Sequence, residues 1–376
     1  MKQTRRLGFL PALLIAALLL AACILLAGLS AGRQAPGSRP RAAAAVVEAG
    51  HPAAGGAPVQ PVQAARRCSR PIDNRTGGVY NGPIFRCPSK FIQTSRHPGA
   101  GVAKRGIFVM IAPVPVLSIV CCAITALIAF GAPVALTILC MRRSHHALMA
   151  VCTGAICFIL GALVLEQLFH SVMLGLFPVI GENGMVYILY GCLTAGLFEE
   201  TARLIGLRFL CKKQDASAVT GFACGVGHGG IEAILLAGMT MLSNLMVMIS
   251  INAGSADSLL AGLEGESYDA AVAQLQQASA IPPLEFLAGG IERLAAITLH
   301  IALSMLIWMV VTKRLPLWGY ALAIGLHALA NLPAGLYQVL GLNMWLTEAV
   351  VVVVTACIAF VVWKLYQLRR EAPAES

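Results

Sequence analysis

Three ionisable side chains, Glu199, Glu200 and Arg203, stand inside the apolar run GLFEETARLIGL at 196–207. Residues at i, i+3 and i+4 share one helical face, so Arg203 can pair with one carboxylate and hold it ionised and oriented. The stretch GVGHGGIE at 225–232 places His228 and Glu232 at i and i+4, and LHALAN at 326–331 does the same for His327 and Asn331. His300 lies in a further apolar run. A carboxylate held away from bulk water can act as a general base on a water molecule. Histidines and an asparagine at its level can hydrogen-bond that water or stabilise an oxyanion. Hydrolysis of a peptide bond inside a membrane is chemistry that suits this set. No serine or cysteine sits beside a histidine in a nucleophile-like motif, which disfavours a serine-type mechanism.

The surroundings must then be a membrane. Of 376 residues 58% are hydrophobic and 12% charged, with mean hydropathy +0.79, against about 25% charged in ordinary soluble domains. The sequence predicts an all-α fold, a polytopic transmembrane helical bundle of about eight spans: one within 1–31, then 107–140, 147–177, 185–211, 218–249, 285–312, 315–340 and 345–366. Basic pairs test the layout. Lys2, Arg5 and Arg6 precede the first span. Arg142 and Arg143, Lys212 and Lys213, Lys313 and Arg314, and Lys364, Arg369 and Arg370 follow alternate later ones. All fall on one side of an eight-span arrangement, which predicts both termini in the cytoplasm. The net charge of +10 is spread over these clusters and an N-terminal loop, a topology signal that argues against a nucleic-acid partner and for the lipid bilayer.

Depth can be counted from the basic clusters at 1.5 Å per residue. Glu199 and Glu200 lie 13 and 12 residues from Lys212, roughly 18–20 Å in. His228 is 15 residues beyond Lys213, roughly 22 Å in, with Glu232 at roughly 28 Å. His300 and His327 each lie 13 residues from Lys313 or Arg314, roughly 20 Å deep. Four spans thus bring ionisable groups to one level. The same count puts Glu166, Glu292, Arg293 and Glu348 near the outer surface, as interfacial residues. The glycines Gly221, Gly225, Gly227, Gly229 and Gly230 around His228 leave room for a neighbouring backbone or a ligand.

Intramembrane ionisable groups are functional by default, whereas buried ion pairs stabilise poorly. A purely structural network is therefore the lesser reading. The functional alternative to hydrolysis is a proton-coupled transporter or channel using the same Glu/His cluster, although no internal repeat or matched pair of broken helices is visible. Glu200, His228, Glu232 and His327 are acceptable zinc ligand types, but no HEXXH motif occurs. The expectation is a metal-free glutamate mechanism, with zinc as the rival.

EETAR at 199–203, HGGIE at 228–232, ER at 292–293, His300, and His327 with Asn331 together resemble the YhfC family of intramembrane proteases, grouped with the PrsW-type and CAAX-processing (CPBP) glutamic-type membrane proteases. The resemblance spans roughly residues 107–366 and implies an endopeptidase acting on membrane-associated peptide or protein substrates in a bacterial cytoplasmic membrane. It implies that Glu199 or Glu200 activates the water, with His228 and His327 as the other catalytic residues. Arg203, Glu232 and His300 would support them, Asn331 would donate to the oxyanion, and Glu292 and Arg293 would gate the site or bind substrate. The spacing here is EExxR where CAAX-type proteases usually carry EExxxR.

Outside that region the chain reads as three further parts: an uncleaved membrane anchor at 1–31, a basic extracytoplasmic loop at 32–106, disordered in its first half, and a cytoplasmic tail at 367–376. Leu20-Ala21-Ala22-Cys23 resembles a lipobox, but the apolar residues that follow it argue against cleavage. Ten of the twelve cysteines lie in or beside apolar segments as small hydrophobes. Cys68 and Cys87 share a polar loop and are either a disulfide or two surface thiols. The loop at 250–284 is acidic, through Asp257, Glu264, Glu266 and Asp269.

Overall fold

A computed structural model of the chain describes residues 112–213 and 216–370. The first span, the lipobox-like stretch, Cys68 and Cys87 lie outside the described residues. Seven long helices follow one another: α1 (Val116–Met141), α2 (Ala147–Leu176), α3 (Gly184–Lys213), α4 (Ala218–Asn252), α5 (Pro283–Val311), α6 (Trp318–Leu340) and α7 (Met344–Arg369). A spanning segment must satisfy every backbone group internally, which leaves helices as the form for such apolar runs. Six of the seven are long and apolar enough to cross a membrane. The exception is α3, which carries Glu199, Glu200 and Arg203. The seven agree with the spans expected between 107 and 366.

The bundle is built around α5. In its most apolar window 61% of residues are buried, against 17–33% in the other five apolar spans, and it packs on α1, α3, α4, α6 and α7. Below the site, towards the basic ends of the helices, Leu207, Leu303, Leu306, Trp308, Met309 and Ile358 form a dense apolar core. There Trp308 Nε1 donates to Ala216 O at 3.1 Å, and the Arg314 guanidinium lies over the Trp308 ring. Arg314 also donates to the backbone carbonyls of Arg369 and Arg370, which ties the basic ends of α5 and α7 together.

Helix α4 enters this bundle at backbone contact distance. A Cβ on Gly227 would stand 1.8 Å from Val151 O, and one on Gly225 would stand 2.4 Å from Ile301 Cα. The room left by the glycines around His228 is thus filled by neighbouring helices, α2 on one side and α5 on the other. Close approach of this kind is how apolar helices associate where lipid removes the hydrophobic driving force.

Two helices widen into π-helical segments, Ile159–Glu166 in α2 and Ala233–Gly238 in α4. The second begins directly after Glu232. Such bulges re-aim side chains and often mark functional regions. The acidic loop contains two helices, Ala256–Leu260 and Glu266–Ala280, which a reading by charge alone did not anticipate. Residues 266–280 are rich in alanine and glutamine, good helix formers.

Candidate active site

Four helices supply the polar layer. Helix α3 brings Glu199, Glu200 and Arg203; α4 brings His228 and Glu232; α5 brings Arg293 and His300; α6 brings His327. Glu199, Glu200, Arg203, His228, His300 and His327 are all buried.

Arg203 pairs with Glu200 Oε1 through Nη1, one helical turn away, and donates to His300 Nδ1 from Nη2 at 2.9 Å. A guanidinium has only donors, so His300 Nδ1 is the acceptor and the proton of the neutral ring is on Nε2. That nitrogen lies 2.5 Å from Glu232 Oε2, although the contact lacks hydrogen-bond alignment. His327 Nδ1 lies 2.8 Å from the Glu200 oxygen that Arg203 also holds. With Glu200 ionised by Arg203, Nδ1 donates and the His327 Nε2 lone pair remains, 3.8 Å from Glu199 Oε1. The other Glu199 oxygen, Oε2, accepts from His228 Nε2 at 2.8 Å. The rings of His228 and His300 lie 4.7 Å apart and those of His300 and His327 5.4 Å apart.

One continuous chain of contacts therefore joins Glu292, Arg293, Glu232, His300, Arg203, Glu200, His327, Glu199 and His228. Every site residue expected from the sequence belongs to it except Asn331. That residue sits one turn beyond His327, half-buried, and no hydrogen bond joins it to the cluster among the described residues.

Two of the residues expected at the outer surface are placed differently. Arg293 reaches inward, donating to Glu232 Oε1 at 2.9 Å. Its long side chain crosses a gap that a count of Cα positions ignores. Glu166 is buried, with Oε1 3.1 Å from His170 Nε2, and His170 Nδ1 lies 2.7 Å from the Tyr190 hydroxyl. That trio lay in the sequence as an i, i+4 Glu-His pair, but its partner Tyr190 comes from another helix. Glu348 is half-buried.

Several buried polar atoms of the cluster make no hydrogen bond within the protein: Glu200 Oε2, Arg203 Nε and His228 Nδ1. Such atoms are costly to leave unpaired, about 1–3 kcal/mol each. Glu199, His300 and His327 each present one ligand-type atom within 4.8 Å of the others. This donor set shares only His327 with the zinc set expected from the sequence. The reason is electrostatic: Glu200 and Glu232 are engaged by Arg203 and Arg293, while Glu199 faces no guanidinium at bonding distance.

A family model described as YhfC intramembrane metalloprotease matches residues 124–352. This chain belongs to the YhfC family. The match takes in all nine residues of the contact chain. Among relatives of the family, the "Uncharacterized membrane protein YhfC" of Bacillus subtilis (strain 168) is 37% identical over 224 residues, covering 59% of this chain and 85% of the relative. Like that membrane protein, this YhfC-family chain belongs in a bilayer, and it is multi-pass, with six helices among the described residues long and apolar enough to cross one.

Proposed function

We propose that this chain is a metal-dependent endopeptidase that cuts membrane-associated protein substrates within the bilayer. The observation that carries the reading is the convergence of Glu199, His300 and His327 from three helices, with the other His327 nitrogen held by Glu200. A carboxylate that donates orientation to a ligand histidine in this way is a recurrent metal-site feature.

The residues fit a divalent cation in charge as well as in kind. Along the contact chain four carboxylates meet two guanidiniums, so neutral imidazoles leave an excess of two negative charges. A cation such as zinc, held by Glu199 and the free Nε2 of His327, with His300 joining them once its Nδ1 gives up the Arg203 bond, would supply Lewis-acid polarisation of the scissile carbonyl and an acidified water. This reading departs from the metal-free mechanism expected from the sequence, and the family description supports the change.

The protein groups then divide the remaining work. Glu200 fixes the His327 tautomer, and Arg203 holds Glu200 and His300 together. Glu199 Oε2 accepts from His228 Nε2, leaving Nδ1 of that ring as an unpartnered lone pair. His228 is thus oriented by a carboxylate as a general base is elsewhere. It takes a proton from water as the water oxygen bonds to the scissile carbonyl carbon, and returns it to the amine as the C–N bond breaks. Glu199 and Glu200 accordingly orient and ligate here, and neither acts as the base. Both termini are assigned to the cytoplasm, following the basic clusters.

The test is cleavage of a library of single-span substrates by protein purified into nanodiscs, with fragments read by mass spectrometry and bound metal measured on the same sample. Stoichiometric zinc or another divalent metal, and cleavage lost with chelator and in His327→Ala, are expected. Metal-free protein that cleaves normally would return the base to Glu199. Absence of cleavage together with proton uptake that depends on Glu199 would establish the transporter instead.

A further inference from the structure

Arg203 occupies a lone pair that a third metal ligand needs. Its Nη2 donates to His300 Nδ1 at 2.9 Å, and a neutral imidazole has only one lone pair. As the side chains stand, His300 has no other atom to offer a cation, because its Nε2 carries the proton and faces Glu232 Oε2 at 2.5 Å. His327 Nε2 and Glu199 Oε1, 3.8 Å apart, are not engaged by a guanidinium in this way.

A second observation shows where the guanidinium can go. Glu200 Oε1 meets both Arg203 Nη1 and His327 Nδ1, while Glu200 Oε2 is buried and accepts no hydrogen bond from any described group. Both oxygens belong to the carboxylate that Arg203 already grips. An arginine fork matches a carboxylate, and two parallel N–H···O bonds are their usual arrangement. Arg203 makes half of that arrangement with Glu200 and directs its other Nη at His300. Both side chains of the pair are fully buried, so an oxygen left without a donor is unfavourable there.

Resting on the metal-dependent peptidase reading above, we propose that Arg203 is a positioning residue that admits His300 to the metal by changing its own partner. Nη1 stays on Glu200 Oε1 as the pivot. Nη2 leaves His300 Nδ1 and closes onto Glu200 Oε2, which completes the fork. Arg203 makes two bonds through its Nη atoms before and after, and Glu200 gains the one it lacked. His300 keeps its Nε2 proton towards Glu232, which Arg293 holds from the other side at 2.9 Å. Its Nδ1 lone pair then turns to the cation at Glu199 and His327. Capture is therefore stepwise: two ligands first, the Arg203 exchange next, His300 last.

The experiment uses full-length protein in nanodiscs, stripped with chelator and then given saturating cobalt or cadmium. Cobalt absorption followed by stopped flow should develop in two phases in the wild-type protein, and His300→Gln should stop after the first. Arg203→Lys keeps a charge beside Glu200 but has no fork to lay on His300, so it should reach the final spectrum in one phase. Glu200→Gln leaves Nη2 no second carboxylate oxygen, and its second phase should slow about tenfold. Should Arg203→Lys fail to accumulate, Glu200→Gln reads the same exchange. Imidazole nitrogen NMR of the wild-type protein with cadmium should show metal coupling at His300 Nδ1 and a proton still on Nε2. Cadmium bound with His300 uncoupled, or coupled through Nε2, would overturn the proposal. So would a second phase unchanged in Arg203→Lys or in Glu200→Gln. Protein that takes up no divalent metal would remove the metal reading and this proposal together, whereas metal bound without His300 removes the proposal alone.

Discussion

His327 Nδ1 lies 2.8 Å from Glu200 Oε1, and Arg203 pairs with that same oxygen from one turn along α3. One carboxylate oxygen therefore binds α6 to α3 and sets the tautomer of a proposed metal ligand. Glu200→Gln keeps the shape but weakens the acceptor. Its metal affinity is expected to fall about 10–100-fold, read by competition with a chromogenic chelator, while His327→Ala should lose the metal outright. Unchanged affinity in Glu200→Gln would remove Glu200 from that role.

Arg203 is fully buried between Glu200 and His300. Arg203→Met would strand a buried carboxylate, so the expected loss is about 3–5 kcal/mol of stability, measured by thermal unfolding in detergent. Arg203→Lys should not restore the wild-type value, because a single ammonium cannot reproduce a planar fork directed at two partners. The double variant Arg203→Met with Glu200→Gln should be more stable than Arg203→Met alone.

His228 carries the proposed base at Nδ1. His228→Gln is expected to lower kcat by about 10²–10⁴-fold with bound metal retained, whereas Glu199→Gln should lose metal and activity together. Loss of metal in both would make His228 a ligand or a support and not the base.

The glycine seams are separable from the chemistry. Gly227→Ala would drive a methyl into Val151 O at 1.8 Å, so the protein should fail to accumulate or should unfold at a much lower temperature. Gly191 is also helical, and a Cβ there meets nothing within 4 Å. Gly191→Ala should be neutral or stabilising by up to about 1 kcal/mol.

The Glu166–His170–Tyr190 trio joins α2 to α3 and shares no hydrogen bond with the contact chain among the described residues. Tyr190→Phe is expected to cost about 1 kcal/mol of stability and to leave cleavage unchanged. A large fall in kcat with unaltered unfolding would draw this trio into the site.

Much of this protein was legible without a structure. Helices rise by a fixed 1.5 Å per residue, and basic clusters mark one membrane face. Counting from Lys212, Lys213, Lys313 and Arg314 was therefore enough to find that Glu199, His228, His300 and His327 share a level. The same logic located the seven described helices, because spans must be long and apolar. What counting along an axis cannot supply is rotation about it. A helix in lipid is apolar on its packed and exposed faces alike, so no amphipathic stripe reports which way Glu199 and Glu200 turn. The bundle decided that Glu200 faces Arg203 and His327 Nδ1, while Glu199 faces His228 and the second His327 nitrogen. It also buried Glu166 and sent Arg293 inward to Glu232, because side-chain reach and a partner on another helix outweigh distance from a membrane face. Composition and spacing determined that four apolar helices carry ionisable groups at one level; close packing at Gly225 and Gly227 decided which of their atoms meet.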